Sequence, residues 1–394
     1  MKELIFMDKN RLEPIGGPIG YLYNLYIELN RIENKDVFWL DDSKQKRHMK
    51  IKKIFKKLPK FITKQYYKNK KKNEIENICN KVFNQKEKKI QNYSIENYDL
   101  IHFHSTLDMF LEKDLIKNYK GKIAITSHSP EVFHKELIEK IDKQKYLSNK
   151  EYYDKLEIID EYAFNRADYI IFPCKDAEEP YYHTWNKYEE IKKKNNEKYR
   201  YIPTGIQDIN VRYDKKFIRN KFNIPENAFL ISYVGRHNEI KGYDKLKIIG
   251  NEIINEYDNV YFLIAGKETP IKGLENNRWI EVGWSDLPNE IINASDLFIL
   301  PNKETYFDLI LLQVLALGKN ILLTETGGNK YFKKFNSDGL FYYDYENVNQ
   351  AIDIIKKLIN SNVRSNNKNR KIFEENFTIE KFAKDYINLI NSLI

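Results

Sequence analysis

The residues best suited to chemistry lie in Tyr233-Val234-Gly235-Arg236-His237-Asn238-Glu239-Ile240-Lys241-Gly242-Tyr243, which follows a β-rich run and opens an amphipathic one. A strand-to-helix turn of this kind offers unpaired backbone N–H groups and the positive end of a helix dipole. Gly242 lets an anionic group approach that backbone, and Arg236 and Lys241 can neutralise a diphosphate there. Standing alone, both cations read rather as solvated surface residues. A second passage of the same form, Pro301-Asn302-Lys303-Glu304-Thr305-Tyr306-Phe307-Asp308-Leu309, runs on to Gln313-Val314-Leu315-Ala316-Leu317-Gly318.

Other signals are weaker. Gly16-Gly17-Pro18-Ile19-Gly20 lacks the full GxGxxG fingerprint, and Pro18 removes a backbone donor, so a nicotinamide cofactor is not expected. His102 and His104 alternate on a strand and face one way, as metal ligands do, but no third ligand accompanies them. Asp41-Asp42 reads as an acidic turn after a strand. No metal and no cofactor is expected. Cys79 and Cys174 form neither a CxxC pair nor a disulfide framework; they read as ordinary buried or half-buried thiols and suit a reducing compartment.

Taken together, the two strand-to-helix passages resemble the C-terminal domain of family 4 retaining glycosyltransferases (glycosyl transferases group 1). The pattern there is a strand, Gly-Arg, Lys-Gly and two spaced glutamates. Ile264-Ala265-Gly266, Gly283-Trp284 and Ala294-Ser295-Asp296-Leu297-Phe298 continue the likeness. Thr326-Gly327-Gly328-Asn329 and Asp338-Gly339-Leu340-Phe341 resemble the family's closing loops. In the first half, Gly16-Gly17 with Gly20 is similar to its glycine loop facing the nucleotide. Ile101-His102-Phe103-His104 and Thr126-Ser127-His128 resemble its histidine-bearing strand ends. The likeness spans nearly the whole chain and is strongest from 229 to 345.

The resemblance implies an α/β fold of the GT-B type, two Rossmann-like doubly wound parallel-sheet domains facing a cleft. It implies that Arg236 and Lys241 bind the donor's phosphates and stabilise the leaving diphosphate without a metal, and that His128 lies near the transferred sugar as a third catalytic residue. Donor-binding positions would be Gly16, Gly17, Arg236, Lys241, Glu304, Thr305, Tyr306, Phe307, Asp308, Leu309 and Gln313. The chain also departs from the pattern. Gln313 stands at the second glutamate, Thr305 eight residues earlier at the first, and Glu304 is one place out of register. Gln313 can still bind ribose hydroxyls, through a neutral hydrogen bond of about 0.5–1.5 kcal/mol rather than a charged one of about 1.5–3 kcal/mol. Asp308 replaces a usual glycine.

The elements that must hold these residues are legible as β-rich runs alternating with amphipathic ones, the pattern of βαβ units. Strands are predicted at 2–8, 36–41, 98–105, 122–129, 167–174 and 199–204, then at 229–235, 259–265, 279–283, 296–301 and 320–324. A chain of 394 residues is long for a single core. The expected division, with the roles that the resemblance implies, is an acceptor-binding domain over 1–204, a nucleotide-sugar domain over 205–376 and a closing helix over 377–394 that packs back on the first domain. Thr378 is its expected N-cap. The polar tract Asn360 to Arg370 reads as a loop.

Charge narrows the partners. Of the net +9, residues 43–73 carry 14 Lys and Arg with no Asp or Glu, so the rest of the chain sums to −5. Ile51, Ile54, Phe55 and Leu58 between lysines give a cationic amphipathic helix. Lys52, Lys53, Phe55, Lys56, Lys57 and Lys60 form the expected membrane or acceptor patch, suited to an anionic lipid surface. No stacking module accompanies the lysines, so nucleic acid is not an expected partner. The first residues lack a signal-peptide core and no run of 18 apolar residues occurs, so the expected location is cytoplasmic, peripheral at the inner face of the membrane. The resemblance implies a retaining transferase of hexosyl or N-acetylhexosaminyl type. It would move sugar from a nucleotide-sugar, a UDP-sugar being favoured, to a glycan or lipid-linked saccharide in bacterial surface polysaccharide or glycoconjugate synthesis. The alternatives are a catalytically silent GT-B partner subunit and a sugar-nucleotide epimerase of similar architecture.

Overall fold

The protein is presented as a computed structural model that describes residues 2–14, 17–40, 75–83, 94–361 and 367–393. The patch residues Lys52, Lys53, Phe55, Lys56, Lys57 and Lys60, the pair Asp41-Asp42 and Gly16 lie outside them.

Apolar runs such as Ile123-Ala124-Ile125 are buried on both faces, which suits strands of a parallel sheet covered by helices on each side. Two such sheets form. The first contains β1 (Glu3–Asp8), β2 (Val37–Leu40), β3 (Leu100–Phe103), β4 (Lys122–Thr126), β5 (Tyr169–Phe172) and β6 (Tyr199–Tyr201), in the order β2-β1-β3-β4-β5-β6. The second contains β7 (Phe229–Val234), β8 (Val260–Ala265), β9 (Trp279–Gly283), β10 (Leu297–Leu300), β11 (Asn320–Thr324) and β12 (Leu340–Tyr343), in the order β12-β11-β10-β7-β8-β9. All strand pairs are parallel. The strand order reverses between β1 and β3 and again between β7 and β10. Such switch points open crevices at the carboxyl ends of the strands, where ligands of doubly wound sheets bind.

Three sequence expectations need correction. Leu340 and Phe341 begin a strand, β12, which pairs with β11 through Ile321↔Leu340 to Thr324↔Tyr343. They are not part of a closing loop. Strands expected at 98–105, 122–129 and 199–204 end earlier: His104, Ser127 and His128 leave the sheet to bond neighbouring side chains, and beyond β6 the sheet closes with Ile202 N donating to the Phe172 carbonyl at 2.9 Å. The tract ending at Arg370 is not all loop, since Asn367–Asn376 is helical, with Ile372 and Phe373 buried and Arg370 paired to Asp208.

The halves share apolar contacts. Phe172, Cys174 and Tyr181 from the first belong to one core cluster with Phe307, Phe332 and Phe377. The helix Ile379–Ser392, capped by Thr378, lies on the first half and buries Phe382, Tyr386 and Ile390 with Leu22, Leu25 and Leu29 of the helix Pro18–Arg31. The Tyr386 hydroxyl donates to Glu3 Oε1 at 2.6 Å. The passage between the halves runs beside the start of this helix: Ile206 N donates to the Phe377 carbonyl at 2.9 Å. A Cβ on Gly205 would stand 2.3 Å from the Thr378 oxygen, so only glycine fits there. No helix among the described residues is long and apolar enough to cross a membrane.

Candidate active site

The switch point of the second sheet joins the two passages singled out by the sequence. After β7 the chain turns through 235–242 into the helix Tyr243–Glu256, and after β10 it turns through 301–308 into the helix Leu309–Ala316. Gly242 has φ 64°, and a Cβ on it would lie 1.7 Å from the Pro301 carbonyl oxygen, so glycine is what allows the turns to meet. Lys303 N donates to the Ile240 carbonyl at 3.0 Å, tying one turn to the other. Gly242 is also the N-cap of its helix and brings no side-chain acceptor to the amides of the first turn.

The two cations differ in state. Arg236 is exposed, and no described residue hydrogen-bonds or ion-pairs with its guanidinium. Lys241 Nζ donates to both carboxylate oxygens of Asp308 at 2.8 Å. Buried Asn302 donates to the same carboxylate. Burial alone would raise the Asp308 carboxyl, but the Lys241 charge and these hydrogen bonds outweigh it and hold it below its ordinary value.

The remaining donor candidates divide. Half-buried Gln313 has no hydrogen bond from its side chain to a described residue. Glu304 Oε1 meets His183 Nδ1 of the first half at 3.0 Å. Thr305 is buried, and its carbonyl accepts from Gly328 N at 3.3 Å. The side chains of Tyr306 and Phe307 face the shared core, Tyr306 against Phe172 at 5.7 Å and Phe307 against Phe332 at 5.3 Å between ring centroids, and Leu309 packs at its edge. Of this aromatic pair, only the backbone is left to meet a ligand.

Across the cleft, β3 and β4 bring three imidazoles together. His102 is committed: Nδ1 meets Glu3 Oε1 at 3.0 Å and the Tyr386 hydroxyl at 2.8 Å, and Nε2 meets Thr126 Oγ1 at 2.7 Å. Those contacts use both of its nitrogens, which leaves none for a metal. His104 Nδ1 and His128 Nε2 share one hydrogen bond of 2.9 Å, and the edge of Tyr21 packs on the His128 ring at 4.7 Å. Burial and the adjoining imidazoles hold His104 well below its usual value, and burial pushes His128 down to about 3. Both rings are therefore neutral near pH 7, and His128 can exchange hydrogen bonds with a sugar hydroxyl without carrying charge. Gly17, the N-cap of the helix that carries Tyr21, opens the same end of the first sheet.

The acidic residues beyond His128 were not found by sequence reasoning. Ser129 bonds Glu136, whose carboxyl is raised by burial against the opposing charges of Lys140 and Arg236, so the guanidinium acts across the cleft on a residue beside His128. Glu131 is raised to about 7, first by burial and then by Glu139, Glu136 and Glu304. Its folded value lies above the ordinary 4.5, so the stability it contributes is full below 4.5 and is lost as pH rises through about 7. Glu131→Gln, neutral at every pH, should therefore melt at increasingly higher temperature than wild type as pH rises across that window. A melting-temperature difference that stays constant with pH would refute this. Buried His237 was also missed: its ring stacks on Tyr243 at 3.9 Å, and burial lowers it to about 4. Its ring lies beside Gly266, a neighbour 29 positions away in sequence.

Residues 214–378 match the family described as Glycosyl transferases group 1. The O-antigen biosynthesis glycosyltransferase WclY of Escherichia coli is 25% identical over 201 residues, which cover 49% of this chain and 55% of WclY, so the chain spans about half the length of this relative. An uncharacterized glycosyltransferase of Methanocaldococcus jannaschii is 22% identical over 326 residues, 77% of each chain. Among solved structures, sucrose-phosphate synthase from Thermosynechococcus elongatus superposes with a TM-score of 0.63 at 16% identity, covering 100% of this chain and 99% of that one. Anabaena HepE in complex with UDP and glucose superposes with a TM-score of 0.61 at 12% identity, covering 100% of both chains.

Proposed function

From a chain that has the GT-B fold and carries a glycosyl transferases group 1 domain over residues 214–378, we propose a retaining glycosyltransferase that moves a sugar from a nucleotide-sugar to a saccharide acceptor. The observation that carries the reading is the meeting of the Arg236 and Lys241 turn with the Asp308 turn at a strand-order reversal, across the cleft from His128. As the bond between the anomeric carbon and the diphosphate breaks, negative charge grows on the phosphate oxygens, and Arg236 and Lys241 stabilise it. The acceptor hydroxyl attacks from the face that the diphosphate leaves. Its oxygen bonds the anomeric carbon, its proton passes to a phosphate oxygen, and the nucleoside diphosphate departs with that proton. Neutral His128 orients a hydroxyl of the transferred sugar, Gln313 binds ribose, and no protein nucleophile is needed.

A UDP-sugar donor is favoured by the likeness to HepE, which was solved with UDP and glucose. A glycan or lipid-linked saccharide acceptor in surface polysaccharide synthesis is favoured by the likeness to WclY, named for O-antigen biosynthesis. One specific observation favours a second reading, a GT-B partner subunit without transfer of its own. Thr305 and Gln313 stand where carboxylates would bind the donor, and Lys241 is already engaged by Asp308. Calorimetric titration with UDP, GDP and their sugar conjugates separates the two. Saturable binding of one nucleotide series is the expected result; binding of none would leave the partner subunit as the reading.

A further inference from the structure

We propose that Asp308 sets the affinity of the donor site, acting as an internal counter-ion that holds Lys241 until the donor's diphosphate displaces it. The inference rests on the reading of Arg236 and Lys241 as partners of that diphosphate.

The local geometry of Asp308 is that of a residue diverted from another task. It occupies the N-cap of the helix Leu309–Ala316 with extended backbone angles, φ −74° and ψ 119°. An aspartate there ordinarily accepts hydrogen bonds from the amides of the first turn. Its carboxylate accepts none of them. Both oxygens instead face Lys241 Nζ at 2.8 Å, and the buried amide of Asn302 donates to one of them. The close fit of Gly242 under Pro301 brings the lysine within reach.

The pair is also accessible. Each side chain keeps 20% of its surface exposed, so an anion entering the cleft can contact Nζ, which it could not do with a fully enclosed pair. Displacement leaves the carboxylate next to the uncapped amides of its own helix. It can therefore exchange one set of donors for another instead of being left unsatisfied. Until that exchange occurs, Arg236 is the unpaired cation of the two, and a doubly charged phosphate group meets half the positive charge that the residue types suggest. The result is a site that holds a nucleoside diphosphate less tightly than its cations alone would, which favours release of the spent nucleotide after transfer.

The test is calorimetric titration of UDP and of GDP, at low salt, into wild type, Asp308→Asn, Lys241→Ala and the double variant. Asp308→Asn keeps the shape and the contact with Asn302, and Asp308→Gly serves the same comparison should the first variant not fold. Removing a charge-assisted competitor should tighten binding of the preferred nucleotide roughly tenfold or more. The gain should vanish when Lys241 is already alanine. Binding by Asp308→Asn alone, with none by wild type, supports the inference equally. Affinity that is unchanged or weaker in Asp308→Asn overturns it, since a carboxylate that merely aims Lys241 would behave that way. Nucleotide binding by wild type in that case leaves the donor-site reading standing. Binding by no variant removes both.

Discussion

Replacing Arg236 by alanine should lower kcat/KM for sugar transfer by a factor on the order of 10²–10³, the usual loss when one preorganised electrostatic partner of a developing charge is removed. Fold stability should change by no more than about 0.5 kcal/mol, as for other surface substitutions. The basis for separating the two effects is structural: the guanidinium is exposed and pairs with no described residue, so its removal strands no partner. Lys241→Ala makes a poorer first experiment, because it also releases the Asp308 carboxylate from its ion pair and so changes two groups of the site at once. Initial rates with the nucleotide-sugar selected by calorimetry, read beside a thermal melt, check the prediction. An Arg236→Ala enzyme with undiminished kcat/KM would remove the guanidinium from the mechanism.

The largest effect on stability is expected at Asp296, immediately before β10. Its carboxylate accepts from Arg219 Nη2 and Lys215 Nζ at 2.8 Å each, and from Leu230 N at 2.9 Å. Arg219 is only 1% exposed, and its other hydrogen bonds go to neutral carbonyls, those of Pro225, Glu226, Ala228 and Ala294. Removing the one carboxylate that neutralises a buried guanidinium costs about 3–5 kcal/mol, a large share of the roughly 5–15 kcal/mol that a domain has. Asp296→Ala should shift the urea midpoint accordingly. Burial raises this carboxyl, but Lys215, the Leu230 amide and Arg219 prevail and hold it below its ordinary 3.8. With a depressed folded value, its stabilisation is present above 3.8 and is lost as pH falls through the folded value. The gap between wild type and variant should close in strong acid. A midpoint unmoved at neutral pH would contradict the ion-pair account.

What could be read from sequence follows the range of the interactions. The alternation of strands and helices is local, and eleven of the twelve strands among the described residues were marked by it. The missing β12, Leu340–Tyr343, starts directly behind the Asp338-Gly339 turn, and that turn gave the passage the look of a loop. The helix Asn367–Asn376 buries little beyond Ile372 and Phe373, so its polar sequence carries almost no periodic signal. The turn that carries Arg236 and Lys241 was legible because a strand, a glycine turn and a helix sit side by side in sequence. The bond from Lys241 to Asp308 joins positions 67 apart, and the one from His183 to Glu304 joins positions 121 apart. No local pattern reports either. Tyr306 and Phe307 show the same effect in the opposite direction. Their motif suggested a donor contact, whereas packing between the halves takes up both rings.

The bond between Tyr386 and Glu3 spans 383 residues and has a consequence for biosynthesis. Chains commonly fold domain by domain as they leave the ribosome, the N-terminal portion first. Here β1 and the helix Pro18–Arg31 leave the ribosome long before the segment that covers Leu22, Leu25 and Leu29, the helix Ile379–Ser392. Until that helix emerges, Leu22, Leu25, Leu29 and the Glu3–His102 pair lack the cover that Phe382, Tyr386 and Ile390 give them in the folded protein. Cut off at the interdomain passage, the first half would keep those residues uncovered permanently, and it cannot be grafted elsewhere as a self-sufficient module unless its distant helix travels with it.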